Sequence, residues 1–175
     1  MKRQVPLVSL LVLLILAAGL ALAVAPAATA PLVLDWRVIG TGRTDGTCAG
    51  GLSPGCTSTA EGDAIGTHTG NSTWSVKVMA GTSPSRNSSL GSCLPADGQG
   101  VVAAANGDLV SFSTVGWVCE ENRPGSPYHY NGTYRINSGT GQFADAAGGG
   151  NLASTHNNNS RPSESFIKID GTINF

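Results

Sequence analysis

The chain has 175 residues, of which 41% are hydrophobic and 12% charged, with 24 glycines and four cysteines. That length suits one domain plus a processing segment. With Lys2 and Arg3 set aside, eight basic residues face eleven acidic ones and no basic cluster remains, which argues against nucleic acid or an anionic membrane surface as partner.

Met1-Lys2-Arg3 opens the chain, and an apolar run from Val5 to about Val24 follows. Small residues come next: Ala25, Ala27, Ala28 and Ala30. A positive start, an apolar centre and a small-residue zone are the parts of a secretory signal, so residues 1–30 are expected to form a hydrophobic helix of that kind. The run is also near the length that spans a bilayer, which keeps an uncleaved anchor as the alternative. Cleavage after Ala30 would leave Pro31 at the new terminus, an unfavourable arrangement, so Ala23 and Ala27 compete with it. No cysteine lies there to carry a lipid. The expectation is a secreted, periplasmic or envelope protein. Residues 31–175 would form a single domain with no membrane contact of its own.

An even number of cysteines in an oxidising compartment points to disulfides. Cys48, Cys56, Cys93 and Cys119 allow three pairings. Cys48–Cys56 with Cys93–Cys119 is preferred, because each closes a modest loop between neighbouring segments. Tight Cys-x-x-Cys or Cys/His spacing is missing, so no metal and no other cofactor is expected.

The first strand is expected at Asp35–Ile39, and Gly40–Thr57 reads as a stapled Gly/Thr/Ser/Pro loop. Ser58–Gly70 suggests a weak or edge strand. Thr73–Met79 alternates clearly, with Trp74, Val76 and Val78 on one face. Ala80–Gly100 reads as loop. Val101–Ala105 and Asp108–Ser113 flank Asn106-Gly107, the strongest short hairpin signal in the chain, and the second arm extends to Cys119. Glu120–Ser126 is a charged loop, and Tyr128–Ile136 the next strand. His156–Ser163 reads as polar and mobile. Ser165–Phe175 gives a last strand, bent at Gly171.

The most constrained stretch is Gly139–Gly150, with one large residue, Phe143, among small ones. Gly139 and Gly141 are expected in left-handed positions of a hairpin turn, with Phe143 pointing inward. Gly148–Gly150 would permit a bulge or sharp bend. It reads as the element on which a sheet closes. No useful amphipathic helix period follows residue 31. Seven or eight short strands suggest an all-β barrel or sandwich, and a closed antiparallel barrel of about eight strands is preferred because closure removes exposed edges.

Ala105-Asn106-Gly107-Asp108, Gly132-Thr133-Tyr134-Arg135-Ile136, Gly139–Ala144 with Ala147-Gly148, and Asp170-Gly171-Thr172-Ile173 together resemble secreted bacterial proteins of the allene oxide cyclase-like barrel family. Plant dirigent proteins carry a related run. The resemblance covers roughly Val101–Phe175. It implies an eight-stranded antiparallel barrel with a central cavity, and it allows a dimer or trimer. It implies no reaction, since fold and function separate. Gln142 stands where arginine is common in the family and Asp145 where a small residue is common, and no active-site residue carries over.

Candidate chemistry is sparse. His68, His129 and His156 are far apart in polar segments and read as surface or loop residues. Glu120 and Glu121 would face opposite ways on a strand. Asp108 reads as a turn residue accepting backbone hydrogen bonds, with a carboxylate at the barrel mouth as alternative. Arg135 and Asp145 are placed to pair across the central turn. No Gly-x-Ser-x-Gly element is present. Trp36, Trp74, Trp117 and Tyr134, with Tyr128 and Tyr130, are candidates to line a lumen or mouth for an apolar or sugar ligand, and core packing is their more common use. Asn71, Asn87, Asn131 and Asn158 each begin an Asn-x-Ser/Thr pattern. The leading expectation is an exported barrel that binds a small hydrophobic ligand or a surface partner. A cyclase- or isomerase-like enzyme and an envelope-associated structural module are the alternatives.

Overall fold

The computed structural model describes residues 32–82, 86–88, 91–121, 126–157 and 163–175. The expected signal or anchor lies outside the described residues, as do the middle of the Glu120–Ser126 loop and residues 158–162. No helix among the described residues is long and apolar enough to cross a membrane. Among the described residues nine strands follow in chain order: β1 (Leu34–Gly46), β2 (Thr57–Gly66), β3 (Gly70–Ala80), β4 (Arg86–Ser88), β5 (Gly91–Ala104), β6 (Leu109–Glu120), β7 (Tyr128–Gly139), β8 (Ala147–Asn157) and β9 (Ser163–Asn174). Among the described residues the helical segments are two 3-10 turns, Thr47–Gly50 and Gly141–Phe143.

Every pairing is antiparallel, and each long strand pairs with the next in the chain. β3 pairs directly with β5, and the three-residue β4 rides on β5 alone. β9 returns to β1, from Leu34↔Ile173 to Thr44↔Ser163. Eight strands therefore close an up-and-down barrel. The seam is β1–β9, not the glycine-rich stretch that sequence alone suggests. Successive hairpins occupy both edges of every strand between them, so only the first and last strands have edges left to pair.

Side chains alternate across the pleat. From β1 to β8 the even-numbered residues of the barrel strands face inward, and in β9 the odd-numbered ones do. The core holds Trp36, Trp74, Phe112, Tyr130, Tyr134 and Phe143, with Val38, Leu152, Ile167, Ile169 and Ile173. Two of the large rings lie over glycines. A Cβ on Gly40 would sit 2.5 Å from Trp74 Nε1, and one on Gly100 would run into the Phe112 ring. A barrel this narrow seats big aromatics by withdrawing the side chain opposite.

The strands are longer than local composition suggests. β1 continues through the Gly/Thr-rich segment to Gly46, and β2 is paired on both sides rather than lying at an edge. β5 begins at Gly91 and runs through Pro95, inside the segment expected to be loop. Glycine and proline weaken an isolated strand, but here partners on both sides hold the backbone extended. The Asn106-Gly107 hairpin joins β5 to β6 as expected, with Gly107 at φ 87. The turn after β7 is longer than a tight hairpin: Gly139 ends the strand, Gly141 takes φ 56, and the 3-10 turn swings Phe143 fully inside. Gly148, at φ 148, is the second residue of β8. The register shift falls elsewhere, between Ser111 and Phe112 opposite Asn137.

Both expected disulfides are present. Cys93 and Cys119 are direct cross-strand partners of β5 and β6. Cys48–Cys56 staples the β1–β2 connection, which folds over one barrel end onto Ala80, Leu94 and Val118. Two such bonds fit an oxidising, extracytoplasmic location. At the other end Phe143 meets Phe175 edge to face at 4.9 Å.

Candidate functional site

A large concavity among the described residues lies on the outside of the barrel, about 1000 Å3 in volume. Its floor follows from the register. One row of outward side chains runs Val101, Ser75, Glu61, Arg43, Glu164, Asn157, each the cross-strand partner of the next. A second row, two residues along each strand, runs Ala103, Thr73, Asp63, Thr41, Phe166, Thr155. The rows cross six strands, β5-β3-β2-β1-β9-β8, and so extend roughly 24 Å at ordinary strand spacing. Between them Gly42 faces Gly62. The two backbones approach so closely that a Cβ on either would overlap the opposing carbonyl. The glycine pair therefore leaves no side chain between the two rows.

The groove is polar. It carries Glu61, Asp63 and Glu164, with Arg43 the one cation among the described lining residues and hydroxyls of Thr41, Thr73, Ser75 and Thr155 between. Phe166 is its one aromatic projecting from the outer face, 43% exposed. Beyond the second row Ile39 and Ile65 pair across β1–β2 as an exposed apolar lip.

A second polar feature lies inside. His156, on the inward face of β8, is 8% exposed. Thr44 Oγ1 and Ser165 Oγ touch each other and approach its Nδ1 at 2.7 and 2.9 Å. Ser154 Oγ is 3.1 Å from its Nε2. A neutral imidazole has one donor and one acceptor nitrogen, and hydroxyls serve either, so both tautomers are satisfied. Burial, and secondarily the nearby His129, pushes the His156 pKa down to about 4. Thr44 also borders a cavity of about 120 Å3 at the barrel mouth, with Asp45, Ser58, Tyr128 and Ser163. The described cavities deeper inside are about 10 and 20 Å3, room for about one water each.

The sequence-predicted residues divide accordingly. Trp36, Trp74 and Tyr134 face inward and are buried, and Trp36 meets Tyr134 edge to face at 5.4 Å. Neither Trp36 Nε1 nor the Tyr134 hydroxyl has a hydrogen-bond partner among the described residues. Trp74 Nε1 donates to the Asp63 carbonyl at 3.2 Å, just behind the groove floor. Trp117 is not in the lumen: its odd position on β6 puts it on the outer face. His156 is not a loop residue, and His129 lies on β7, paired with Glu121 at 3.0 Å. Glu120 turns the other way and accepts the Leu52 N–H. His68 does lie in a turn. Arg135 and Asp145 are not among the described ion pairs, which are Arg37–Asp170, Lys168–Asp170 and His129–Glu121. Asp108 accepts a backbone N–H, that of Gln142, across in the next turn. Asn71 and Asn131 are exposed. No group of three or more His, Cys, Asp or Glu among the described residues is placed to hold a metal ion.

The groove was illegible before the register was known, because its residues come from six strands and none belongs to a motif. His156 carried a faint signal: Leu152, Ser154 and His156 alternate with Ala153 and Thr155. No protein-family model, curated protein or solved structure matches the chain.

Proposed function

We propose that this chain is an exported, disulfide-stapled barrel that acts by binding, and that it binds on its outer face. The observation that carries the reading is the contrast in space. The interior is filled by the chain's own aromatics, with described cavities of about 10 and 20 Å3, whereas the outer groove offers about 1000 Å3. Sites for small molecules usually need about 300 Å3 or more. A surface partner therefore fits better than a small apolar ligand enclosed in the barrel.

Thr73→Trp tests it. Thr73 is exposed on the groove floor, so an indole there fills the groove without entering the core. The full chain should be retained by the envelope or extracellular material of the cells that make it, and the variant should be released. Equal retention of both removes the groove as the binding face.

One observation favours a second reading, a cyclase- or isomerase-like enzyme of the kind the family resemblance suggests. His156, Thr44, Ser165 and Ser154 converge beside the mouth cavity, and confinement can catalyse with few polar groups. The cavity is small for a substrate, at about 120 Å3, which ranks this reading second.

A further inference from the structure

We infer that the groove takes an extended, uncharged polysaccharide strand, lying across β5, β3, β2, β1, β9 and β8, with one sugar ring stacked on Phe166. This rests on the groove being the binding face.

Three features select that class. The first is the ratio of polar to apolar groups on the floor. Carboxylates accept, Arg43 donates, and the hydroxyls of Thr41, Thr73 and Ser75 do both. A sugar chain offers hydroxyls at close intervals along its whole length and matches such a row; an apolar helix or lipid chain does not. The second is Phe166. A flat ring 43% exposed, between Thr41 and Thr155 in the second row, suits the C–H face of a pyranose. The third is closure. Extended peptides commonly bind by adding a strand to a free sheet edge, and the eight barrel strands leave none.

Charge narrows the class further. Among the described residues Glu61 and Asp63 against Arg43 disfavour sulfated or uronic-acid polymers and nucleic acids. A neutral glucan, mannan or N-acetylated aminosugar chain is left. The groove is open at the surface and crosses six strands, so the chain is bound along its length rather than at an end.

The test is titration of the full chain with cellohexaose, mannohexaose and N-acetylchitohexaose, read by calorimetry, with hexalysine as the competing class. At least one sugar should bind, with little dependence on salt. Phe166→Ala should weaken it by about tenfold or more, and Phe166→Leu, which keeps apolar bulk without a flat ring, should weaken it nearly as much. Both variants should keep the wild-type far-ultraviolet spectrum, since the ring is half exposed. Binding that survives both substitutions unchanged overturns the inference. So does hexalysine binding in place of the sugars, which would make the groove an acidic docking face for basic segments. So does the failure of every sugar. In these last two cases Thr73→Trp judges the groove separately: loss of cell-surface retention keeps the groove reading and discards only the sugar.

Discussion

The Nδ1 of His156 sits 2.9 Å from the hydroxyl of Ser165, its direct cross-strand partner, inside the barrel. Burial holds this imidazole neutral, with a pKa of about 4 against an ordinary 6.5. The folded state thus resists a proton that the unfolded chain accepts readily. Between pH 6.5 and 4 the unfolded state binds more protons, so stability rises with pH across that window. Above it the stabilisation is complete, and below it the loss is complete. A shift of this size corresponds to about 3 kcal/mol. Urea unfolding of the full chain at a series of pH values should show that slope, and His156→Gln should flatten it. An unchanged slope in the variant would assign the acid sensitivity elsewhere.

At the opposite end Asp108 Oδ2 accepts the backbone N–H of Gln142 at 3.0 Å and the Asn106 side-chain amide at 2.8 Å. One carboxylate thereby ties the β5–β6 hairpin to the turn that delivers Phe143. Asp108→Ala should cost about 1 kcal/mol, since both hydrogen bonds are exposed to solvent. Asp108→Asn, which keeps an acceptor oxygen, should cost less. Chemical denaturation measures both, and equal losses would mean that charge, not acceptance, is what the turn requires.

Glycines differ in what they tolerate. Gly40 lies against the Trp74 indole and Gly100 against the Phe112 ring, so an added methyl group must displace a core aromatic. Gly40→Ala and Gly100→Ala should each destabilise by about 1–3 kcal/mol, as overpacked cores do, and should alter the near-ultraviolet aromatic spectrum. Gly107 meets nothing within 4 Å and carries only its φ of 87. Gly107→Ala should cost about 1 kcal/mol and leave that spectrum unchanged. A spectral change at Gly107, or none at Gly40, would contradict the packing described.

These glycines also show what the sequence could and could not reveal. Asn106-Gly107 was legible because a tight hairpin leaves a local signature. Trp74-Ser75-Val76-Lys77-Val78 was legible because one face is core and the other solvent. Phe143 stood out as the single large residue among small ones, and it is fully buried. Gly40, Gly42 and Gly100 were misleading. Their absent side chains serve neighbours on other strands, Trp74, Glu61 and Phe112, and no local window contains both members of such a pair. The groove failed to show for the same reason, since Arg43 meets Glu61 and Glu164 only once three strands are in register. Trp117 was misplaced because an aromatic at an odd position of β6 reads like any other until the inward face is known.

The two disulfides should contribute unequally. Their cysteines are 26 residues apart for Cys93–Cys119 and 8 for Cys48–Cys56. Loop-closure entropy then gives about 3.5 and about 2.5 kcal/mol respectively. The shorter bridge has a second consequence. It holds the segment whose Cys48 carbonyl accepts the Tyr128 hydroxyl at 3.0 Å, over the same barrel end as His156. Replacing Cys48 and Cys56 by serine should therefore loosen that lid and let water reach the imidazole. Its pKa should rise toward 6.5, and the pH slope between 6.5 and 4 should shrink. Replacing Cys93 and Cys119 should lower stability more while leaving the slope as it is. Measuring both variants across pH separates a general loss of stability from the uncovering of one buried histidine.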